Sequence, residues 1–328
     1  MAESHDTLFS LARSASAYAF NGDADGLCAL VQLLAGRADT PILMTGVKRD
    51  QALLKRIPPV PGPICVLDVA LGKNIDAVMP LIEAGTDIVY IDHHAADDLP
   101  DHPQFHPRIV STPDTNTSKL VYDLNPTRHN ALWAVAGLFG DNLFEAATAL
   151  AAEHDLPQED VDRLKDMGML LNYNAYGATV EDLHFSPFDL ARVMCSFTSP
   201  LAFLAGTDVI PKLTQGRDED IEKAKAIPEL VPDVVVLPNK KWARRAVGDF
   251  ANMLARKHPD RAHAVLVTTE RGHYVVSVRA PINGGPSAAE LCKQFVTGGG
   301  RVKAAGINDL PAAELMMFVN RFALHFGE

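Results

Sequence analysis

The sequence predicts an α/β protein with a doubly wound parallel sheet in its amino-terminal domain and a smaller α/β domain after it. Two observations support this prediction. Over roughly the first hundred residues, short apolar segments alternate with helix-like segments, which is typical of a parallel sheet with crossover helices. A second alternation of strand-like and helix-like segments then begins near Val234. We therefore expect two domains, with an active site in the cleft between them.

The amino-terminal elements follow one another in a regular order. Each predicted strand is a short apolar run, and each predicted helix carries apolar residues at helical spacing. The predicted elements are strands at 16–20, 41–47, 64–68 and 88–91 and helices at 26–36 and 74–84. The strands lack a polar alternation, so we expect them to be buried on both faces.

The segment 86–94, TDIVYIDHH, is the most informative part of the chain. Its apolar residues predict a buried strand, and Asp92, His93 and His94 follow at the carboxyl end. Open α/β sheets bind ligands at this edge. A polar turn is the simpler interpretation for a single histidine, but three adjacent side chains of types that bind metals favour a metal site.

Two other predicted strands end in the same way. Asp23 and Asp25 follow the first strand, and Asp68 ends the third. Because parallel strands present their carboxyl ends at one edge of the sheet, these side chains should converge. Convergent carboxylates repel one another unless cations hold them together. The sequence therefore predicts a metal site at this edge.

The middle of the chain is mainly helical in composition. The start of 111–124 is rich in Ser, Thr and Asn, which predicts a helix N-cap. Asp141 follows the helical segment 131–139 and carries no weight by itself. The polar segment 171–177 fits the lining of a cleft or an exposed loop equally well.

The second half of the chain predicts another α/β domain after a charged connection. Its predicted strands are 234–237, 264–269 and 274–280, and its predicted helices are 242–258, 286–295 and 312–326. The expected boundaries are a catalytic domain at 1–198, a helical linker at 199–232 and a substrate-binding domain at 233–328.

Composition excludes several classes of protein. The chain has 328 residues, 47% hydrophobic and 22% charged, which is ordinary for a soluble protein of about two domains. Its net charge of −11 opposes binding to long duplex nucleic acid. No apolar run approaches the roughly 20 residues that span a membrane. The isolated cysteines are expected to be reduced core thiols: Cys28, Cys65, Cys195 and Cys292.

The cellular compartment expected by default is the cytoplasm. The amino terminus lacks the basic and apolar segments of a secretory signal. The sequence leaves the oligomeric state open, a homodimer included.

The candidate ligands indicate the metal and the reaction. Carboxylates with one imidazole suit Mn²⁺ or Mg²⁺. A carboxylate shared by two such ions, here Asp68, would hold them about 3.5–4 Å apart, where they lower the pKa of a bridging water and stabilise displacement at phosphorus. We therefore expect hydrolysis of a phosphate ester or anhydride. The candidate ligands are Asp23, Asp25, Asp68, His93 and Asp141.

A glycine run near the end of the chain predicts a second anion-binding feature. Glycine backbone N–H groups beside cationic side chains can hold phosphate oxygens, although a lone glycine run is more often a turn. The residues of this predicted phosphate clamp are Arg279, Gly298, Gly299, Gly300, Arg301 and Lys303.

Four motifs in order, NGDADG, ICVLD, IDHH and GLFGD, resemble the motifs of the DHH phosphoesterase superfamily. The later segments SVRAP and PSAAELCKQFVTGGGRVKAAG resemble its associated substrate domain, so the resemblance covers nearly the whole chain. Members include RecJ-type exonucleases, nano-RNases, cyclic-dinucleotide phosphodiesterases and, with another carboxyl-terminal domain, family II pyrophosphatases.

The resemblance implies a role for each matching residue. The five candidate ligands would bind the metals, and His94 would contact the scissile phosphate or a ligand. Asp92 would orient the two histidines, and Arg279 with the glycine loop would hold the substrate.

The chain departs from the family pattern at two positions. Ala19 stands where the family often has a metal-binding histidine, and Asn21 is a weaker substitute nearby. Arg301 replaces the histidine of the usual GGGH loop and cannot reproduce its hydrogen bonding. Both changes concern groups expected to bind a metal or the substrate.

These observations favour a two-metal Mn²⁺ phosphoesterase acting on short oligonucleotides, dinucleotides or small phosphorylated nucleotides. A pyrophosphatase is disfavoured by the glycine loop of the second domain. A nucleotide-binding or regulatory protein with reduced catalysis is the alternative raised by the two departures. A processive exonuclease would need a basic, aromatic-lined groove, which 7% aromatic residues do not favour.

Overall fold

The computed structural model describes residues 4–96 and 98–327. Residues 1–3, which begin the segment considered above for a secretory signal, lie outside this range. The chain divides into two compact units, Met1–Thr214 and Gln215–Glu328. The division falls within the helix Val209–Lys225, inside the segment predicted as a linker.

The first unit contains a five-stranded sheet in which every pairing is parallel, with the strand order β2-β1-β3-β4-β5. The predicted parallel α/β fold is therefore confirmed. Its strands are β1 Ala17–Phe20, β2 Ile42–Met44, β3 Ile64–Leu67, β4 Ile88–Asp92 and β5 Phe105–Ile109.

The α-helices of the first unit accompany this sheet, and the last of them continues into the second unit. They are α1 His5–Arg13, α2 Ala24–Leu34, α3 Ile75–Glu83, α4 Thr117–Leu124, α5 Arg128–Gly140, α6 Phe144–Glu153, α7 Gln158–Asn174, α8 Pro187–Cys195, α9 Pro200–Gly206 and α10 Val209–Lys225.

The central strands separate two hydrophobic cores, because successive side chains of a strand point to opposite faces. Leu67 and Ile91 join a core that also contains residues of α2, α5 and α7. Val66 and Tyr90 join a core that contains residues of α3. Helices therefore cover both faces, which explains why β1, β3 and β4 are apolar without alternation.

The two edge strands depart from the sequence prediction. The strand at 41–47 was expected to be buried, but β2 lies at an edge and Ile42 is 37% exposed. Strand β5 was not predicted, since Pro107 and the polar residues around it break the apolar pattern. Proline is tolerated on an edge strand because one side of that strand has no ladder to complete.

Two predicted segments in the first unit have different structures. Helix α2 begins at Ala24 rather than Gly26, with Asp23 as its N-cap. The segment 171–177 is not an exposed loop, because α7 continues through it to Asn174, whose side chain is fully buried.

The second unit has a mixed six-stranded sheet with the order β10-β11-β9-β8-β7-β6. Within the described part of this unit, β7 and β8 pair in parallel and the other neighbouring strands pair antiparallel. Helix α11 packs on one face, and α12 and α13 pack on the other. The elements are β6 Glu229–Val231, β7 Val234–Leu237, α11 Lys241–Lys257, β8 His263–Thr268, β9 Tyr274–Arg279, α12 Ala288–Cys292, β10 Gly298–Gly300, β11 Ala304–Leu310 and α13 Leu315–Phe326.

The glycine run of this unit is a strand rather than a loop. Gly298 to Gly300 form β10 and pair antiparallel with β11. The sequence suggested a loop because glycine is depleted in strands. Pairing with β11 fixes the backbone instead.

Two further predictions concern membranes and cysteines. Among the described residues, no single helix is long and apolar enough to cross a membrane; α8 and α9 reach that hydropathy only as a pair bent by 106°. The four cysteines are free thiols, as predicted, and all but Cys195 are buried.

Candidate active site

Asp23 lies at the carboxyl end of β1 and begins α2. Its Oδ1 accepts hydrogen bonds from the backbone N–H groups of Asp25 (3.0 Å) and Gly26 (3.1 Å). These bonds satisfy two of the donors that the first turn of a helix leaves unpaired. The N-cap therefore fixes the position of this carboxylate beside the sheet edge.

Asp25 lies in the first turn of α2 and is fully buried. Its two oxygens accept hydrogen bonds from the backbone N–H groups of Thr117 (2.8 Å) and Ser118 (2.6 Å), at the amino terminus of α4. Asn116 caps α4, as the sequence predicted for this segment. The positive end of α4 therefore faces a negative carboxylate, a favourable arrangement.

Asp68 directly follows β3 and has a left-handed backbone conformation, with φ of 57°. Aspartate tolerates this region better than most residues. Its Oδ1 lies 3.3 Å from Nε2 of His93. Its Oδ2 is buried without a hydrogen-bond partner among the described residues. An oxygen in that condition is costly unless a ligand completes its environment.

Asp92 positions both histidines at the end of β4. Its Oδ1 accepts a hydrogen bond from the backbone N–H of His93 (2.9 Å) and contacts Nδ1 of His94 at 2.7 Å. The His93 side chain is 8% exposed, whereas that of His94 is 38% exposed. The two rings therefore differ in environment, with His93 inside the cluster and His94 at its mouth.

Asp141 completes the cluster from the carboxyl end of α5, where it is the C-cap residue. Its Oδ2 accepts a hydrogen bond of 3.2 Å from Nδ2 of Asn116. Asp25, His93 and Asp141 each offer one ligand atom, and these atoms all lie within 4.8 Å of one another. Asp68, His93 and His94 form a second such group. His93 belongs to both.

Burial and repulsion between neighbouring carboxylates raise the pKa values of Asp25 and Asp68. Burial, followed by the charges of Asp141 and Asp23, raises the pKa of Asp25 well above its usual value. Burial and the neighbouring carboxylates also raise the pKa of Asp68 well above its usual value. Carboxylates that are costly to ionise together, with one unpaired oxygen and an imidazole between them, fit a divalent cation.

Lys48 belongs to the site, although the sequence analysis did not identify it. Its Nζ donates hydrogen bonds to Oδ2 of Asp23 (2.5 Å) and to Oδ1 of Asn172 (2.7 Å). It also lies 3.5 Å from Oδ1 of Asp141. The available signal was its position shortly after β2, at the same edge of the sheet as the predicted ligands.

The lysine changes the electrostatics at this end of the site. Burial lowers the pKa of Lys48, but Asp23, Tyr176 and Asp141 outweigh it and raise the net value well above the usual one. Burial raises the pKa of Asp23, but Lys48 more than offsets this effect and the net pKa is low. Both groups are therefore charged at neutral pH.

Ala19 lies where the family pattern would lead us to expect a metal-binding histidine, and Asn21 lies nearby in the sequence. Ala19 is fully buried among apolar side chains on the α3 face of the sheet. Asn21 contacts the backbone carbonyl of Lys48 through Nδ2, at 3.4 Å. Its Oδ1 is buried without a hydrogen-bond partner among the described residues.

The predicted phosphate clamp lies in the second unit. Arg279 ends β9 opposite Ala304, and its guanidinium donates hydrogen bonds to Asn252 and Ser277. Lys303 donates to the carbonyls of Pro281 and Ile282.

The other clamp residues surround this strand end. Arg301 is exposed, and Gly300 pairs with Ala305 beside Ala304. Gly298 and Gly299 occupy the two preceding positions of β10. The structure therefore brings the clamp residues to one end of three neighbouring strands, and their role in binding remains a prediction.

No protein-family model matches this sequence, and a search of curated proteins found no match. Several solved structures have a similar fold. An exonuclease RecJ bound to manganese is 16% identical, with a TM-score of 0.59, and the match covers 98% of this chain and 94% of that one. RecJ from Thermus thermophilus, in complex with Mn²⁺, is 16% identical with a TM-score of 0.65, over 98% and 54% of the two chains.

A third similar structure is a pGpG-specific phosphodiesterase from Vibrio. It is 12% identical with a TM-score of 0.51, and the match covers 94% of this chain and 99% of that one. At such identities the similarity establishes the fold. It confirms the fold that the resemblance to the DHH superfamily implied.

Proposed function

We propose that this protein is a metal-dependent phosphoesterase of the DHH type, acting on short oligonucleotides, dinucleotides or small phosphorylated nucleotides. The observation that carries the proposal is the convergence of four ligand-type side chains at one sheet edge, with the buried Oδ2 of Asp68 unpaired among the described residues. The four residues are Asp25, Asp68, His93 and Asp141.

These four side chains form the proposed binding site for a divalent cation, for which Mn²⁺ is the first candidate. The two RecJ structures with this fold carry manganese. When bound, such an ion supplies positive charge to phosphoryl oxygens and makes water a stronger nucleophile at neutral pH.

His94 is the proposed contact to the scissile phosphate. Its ring is partly exposed, and Asp92 holds it through Nδ1. Burial lowers the pKa of His94, but the hydrogen bond and the charge of Asp92 outweigh it and raise the net pKa. The imidazole can therefore keep a proton on Nε2 and donate it in a hydrogen bond to a phosphate oxygen.

The phosphate clamp of the second unit is proposed to bind a phosphate group of the substrate. Arg301 is an exposed cation of this clamp, and a guanidinium can hold a phosphate through two parallel hydrogen bonds. We expect Arg301→Ala to raise KM for a dinucleotide about tenfold or more, with little change in kcat. Lys293→Ala, which removes an exposed cation at the end of α12, is the matched control.

The substrate class is supported by the similar structures and by charge. A pGpG-specific phosphodiesterase and two RecJ exonucleases share the fold. The net charge of −11 disfavours long duplexes.

The experiment is a comparison of Mn²⁺-dependent hydrolysis across five substrates: pApA, a longer single strand, a cyclic dinucleotide, 3′-phosphoadenosine 5′-phosphate and pyrophosphate. We expect turnover of one of the nucleotides, stopped by a chelator and lost in Asp68→Asn. Retained turnover in Asp68→Asn would overturn the site assignment. Turnover of pyrophosphate alone would exclude the proposed substrate class.

A nucleotide-binding protein without catalysis is the second candidate, and the ion pair between Lys48 and Asp23 favours it. It predicts nucleotide binding by calorimetry with no product at any Mn²⁺ concentration. Repeated turnover in the same assay excludes this candidate.

A further inference from the structure

The partners of Asp23 determine how many divalent ions the site can hold, a question that rests on the proposed function. The sequence predicts a pair of ions, with Asp23 among the ligands. Backbone N–H groups bond to Asp23 and to Asp25 alike, so these bonds do not distinguish the two carboxylates. Asp23 differs from Asp25 because its Oδ2 also accepts a hydrogen bond from a cation, the Lys48 ammonium.

Lys48 is built into this position. Its Nζ has a carboxylate at 2.5 Å, an amide oxygen at 2.7 Å and a second carboxylate at 3.5 Å. The Lys48 side chain is 25% exposed. Its backbone is also held, because its N–H donates to the carbonyl of Ala175 (2.9 Å) and its carbonyl accepts from Asn21. An ammonium with oxygen partners on several sides is not displaced without leaving those oxygens unpaired.

The remaining contacts separate Asp23, which pairs with Lys48, from the other candidate ligands, which lie around His93. Asp25, His93 and Asp141 form one compact group, and Asp68 lies 3.3 Å from the same His93 nitrogen. Asp23 belongs to neither of the two compact groups among the described residues. Position 19 offers no ligand atom, since its alanine methyl lies in the α3-side core.

We propose that the Lys48 ammonium takes the place of one divalent ion, so that the site holds a single divalent ion bound by Asp25, Asp68, His93 and Asp141. The lysine neutralises Asp23 and part of the charge of Asp141. A second divalent ion at Asp23 would be repelled by the adjacent ammonium, which carries the same sign of charge. A substrate phosphate would then contact one cation that belongs to the protein, the Lys48 ammonium, and one exchangeable divalent metal ion.

The test is the metal content of the full-length protein, measured without substrate. Purified protein is stripped with chelator, equilibrated with Mn²⁺ by dialysis and analysed for manganese per chain. Electron paramagnetic resonance of the same samples separates an isolated Mn²⁺ from a spin-coupled pair. We expect one manganese per chain and the spectrum of an isolated ion.

Variants test whether Lys48 is what prevents a second manganese ion from binding. Lys48→Met keeps the length of the side chain and removes its charge, so we expect a second manganese and a coupled spectrum. Lys119→Met is the matched control, because Lys119 pairs with Asp123 at 2.6 Å and its side chain is 26% exposed, similar to that of Lys48. This control variant should still bind one manganese ion per chain. Asp25→Asn should raise the Kd for the single Mn²⁺ ion at least tenfold more than Asp23→Asn does.

The outcomes separate this inference from the proposed function. Two manganese ions in the wild-type protein would overturn the inference and leave the phosphoesterase proposal standing. No bound manganese would overturn both. One ion in both the wild type and a folded Lys48→Met would show that the lysine does not exclude a second ion, which also overturns the inference. If Lys48→Met does not fold, the wild-type count and the Asp23→Asn comparison still decide it.

Discussion

At the scale of single residues, Asp68 is the clearest example of a side chain whose position costs stability. It is buried among carboxylates, and its Oδ2 lacks a hydrogen-bond partner among the described residues. Single stabilising substitutions in natural proteins commonly contribute about 0.5–2 kcal/mol, and at a destabilised active site their recurrent cost is lost function. We therefore expect Asp68→Asn to raise the free energy of unfolding of the metal-free protein by about 1 kcal/mol, as measured by urea denaturation.

The same variant should lose the stabilisation that Mn²⁺ gives to the wild type. Asparagine tolerates the left-handed backbone of this position as well as aspartate does. Asp155→Asn is the matched control, since Asp155 has φ of 49° and is exposed. A destabilised Asp68→Asn that still responds fully to Mn²⁺ would contradict the assignment of this carboxylate as a ligand.

The sequence predicted the carboxylates of the site and missed the lysine for a physical reason. Asp68 and Asp92 lie at the ends of buried strands, whose apolar runs reveal where the sheet edge is. Lys48 follows a short, partly exposed edge strand, and a lysine in a loop is usually solvated. Asn172 meets Lys48 across 124 positions of sequence, a contact that only the folded chain creates.

At the scale of elements, the crossing of α5 and α7 depends on a close approach of backbones. A Cβ atom at Gly168 would overlap the carbonyl oxygen of Ala136 in α5. Overpacking of this kind costs about 1–3 kcal/mol. We expect Gly168→Ala to lower the melting temperature and to weaken Mn²⁺ binding, because α7 carries Asn172 and Asp141 caps the carboxyl end of α5.

Calorimetric scans and manganese titrations of Gly168→Ala check this expectation. The control is Gly72→Ala, where an added Cβ would meet no atom within 4 Å. Equal behaviour of the two variants would show that the helix crossing relaxes without cost.

Strand β10 offers a pair of neighbouring glycines with opposite structural demands. A Cβ atom at Gly298 would overlap the carbonyl oxygen of Cys292, whereas at Gly299 it would meet no atom within 4 Å. We expect Gly298→Ala to destabilise the protein by about 1–3 kcal/mol and Gly299→Ala to leave its stability nearly unchanged. Thermal unfolding measures both.

Gly299→Ala then tests binding without a change in stability. If the backbone of β10 approaches a phosphate, the added methyl group should weaken nucleotide binding in calorimetry. Normal affinity in this variant would remove Gly299 from the proposed clamp.

Elements were predictable where burial is two-sided and less so at edges. Strands β1, β3 and β4 are completely buried, so their sequences are apolar and easily recognised. Strand β5 has one buried residue, an exposed proline and three residues of intermediate exposure, so its sequence pattern carries little information. Strand β10 is defined by its pairing with β11, which no local pattern of three glycines encodes.

At the scale of the whole molecule, the proposed metal ligands all belong to the first unit. We expect Mn²⁺ to slow hydrogen exchange of the full-length protein at the start of α2, at the ends of β3 and β4, and at the start of α4. The backbone amides of Thr117 and Ser118 are bonded to Asp25, so they should respond most clearly.

Mass spectrometry of exchanging peptides measures this effect. Peptides of the second unit, such as those covering α13, serve as the internal control, because the proposed ligands lie elsewhere in the sequence. Protection confined to the second unit would contradict the placement of the metal in the first.

The sequence predicted two α/β units, because each has its own strand and helix pattern.

The bonds of Asp25 bear on how related sequences should be interpreted. This carboxylate joins the start of α2 to the start of α4 whether or not a metal is bound. Selection for folding alone would therefore preserve it in a lineage that had given up catalysis. Oδ2 of Asp68 makes no such structural hydrogen bond among the described residues. In a lineage without catalysis, Asp68 would therefore be substituted earlier than Asp25. Among divergent descendants of this fold, position 68 is consequently a better marker of retained chemistry than the aspartate at position 25.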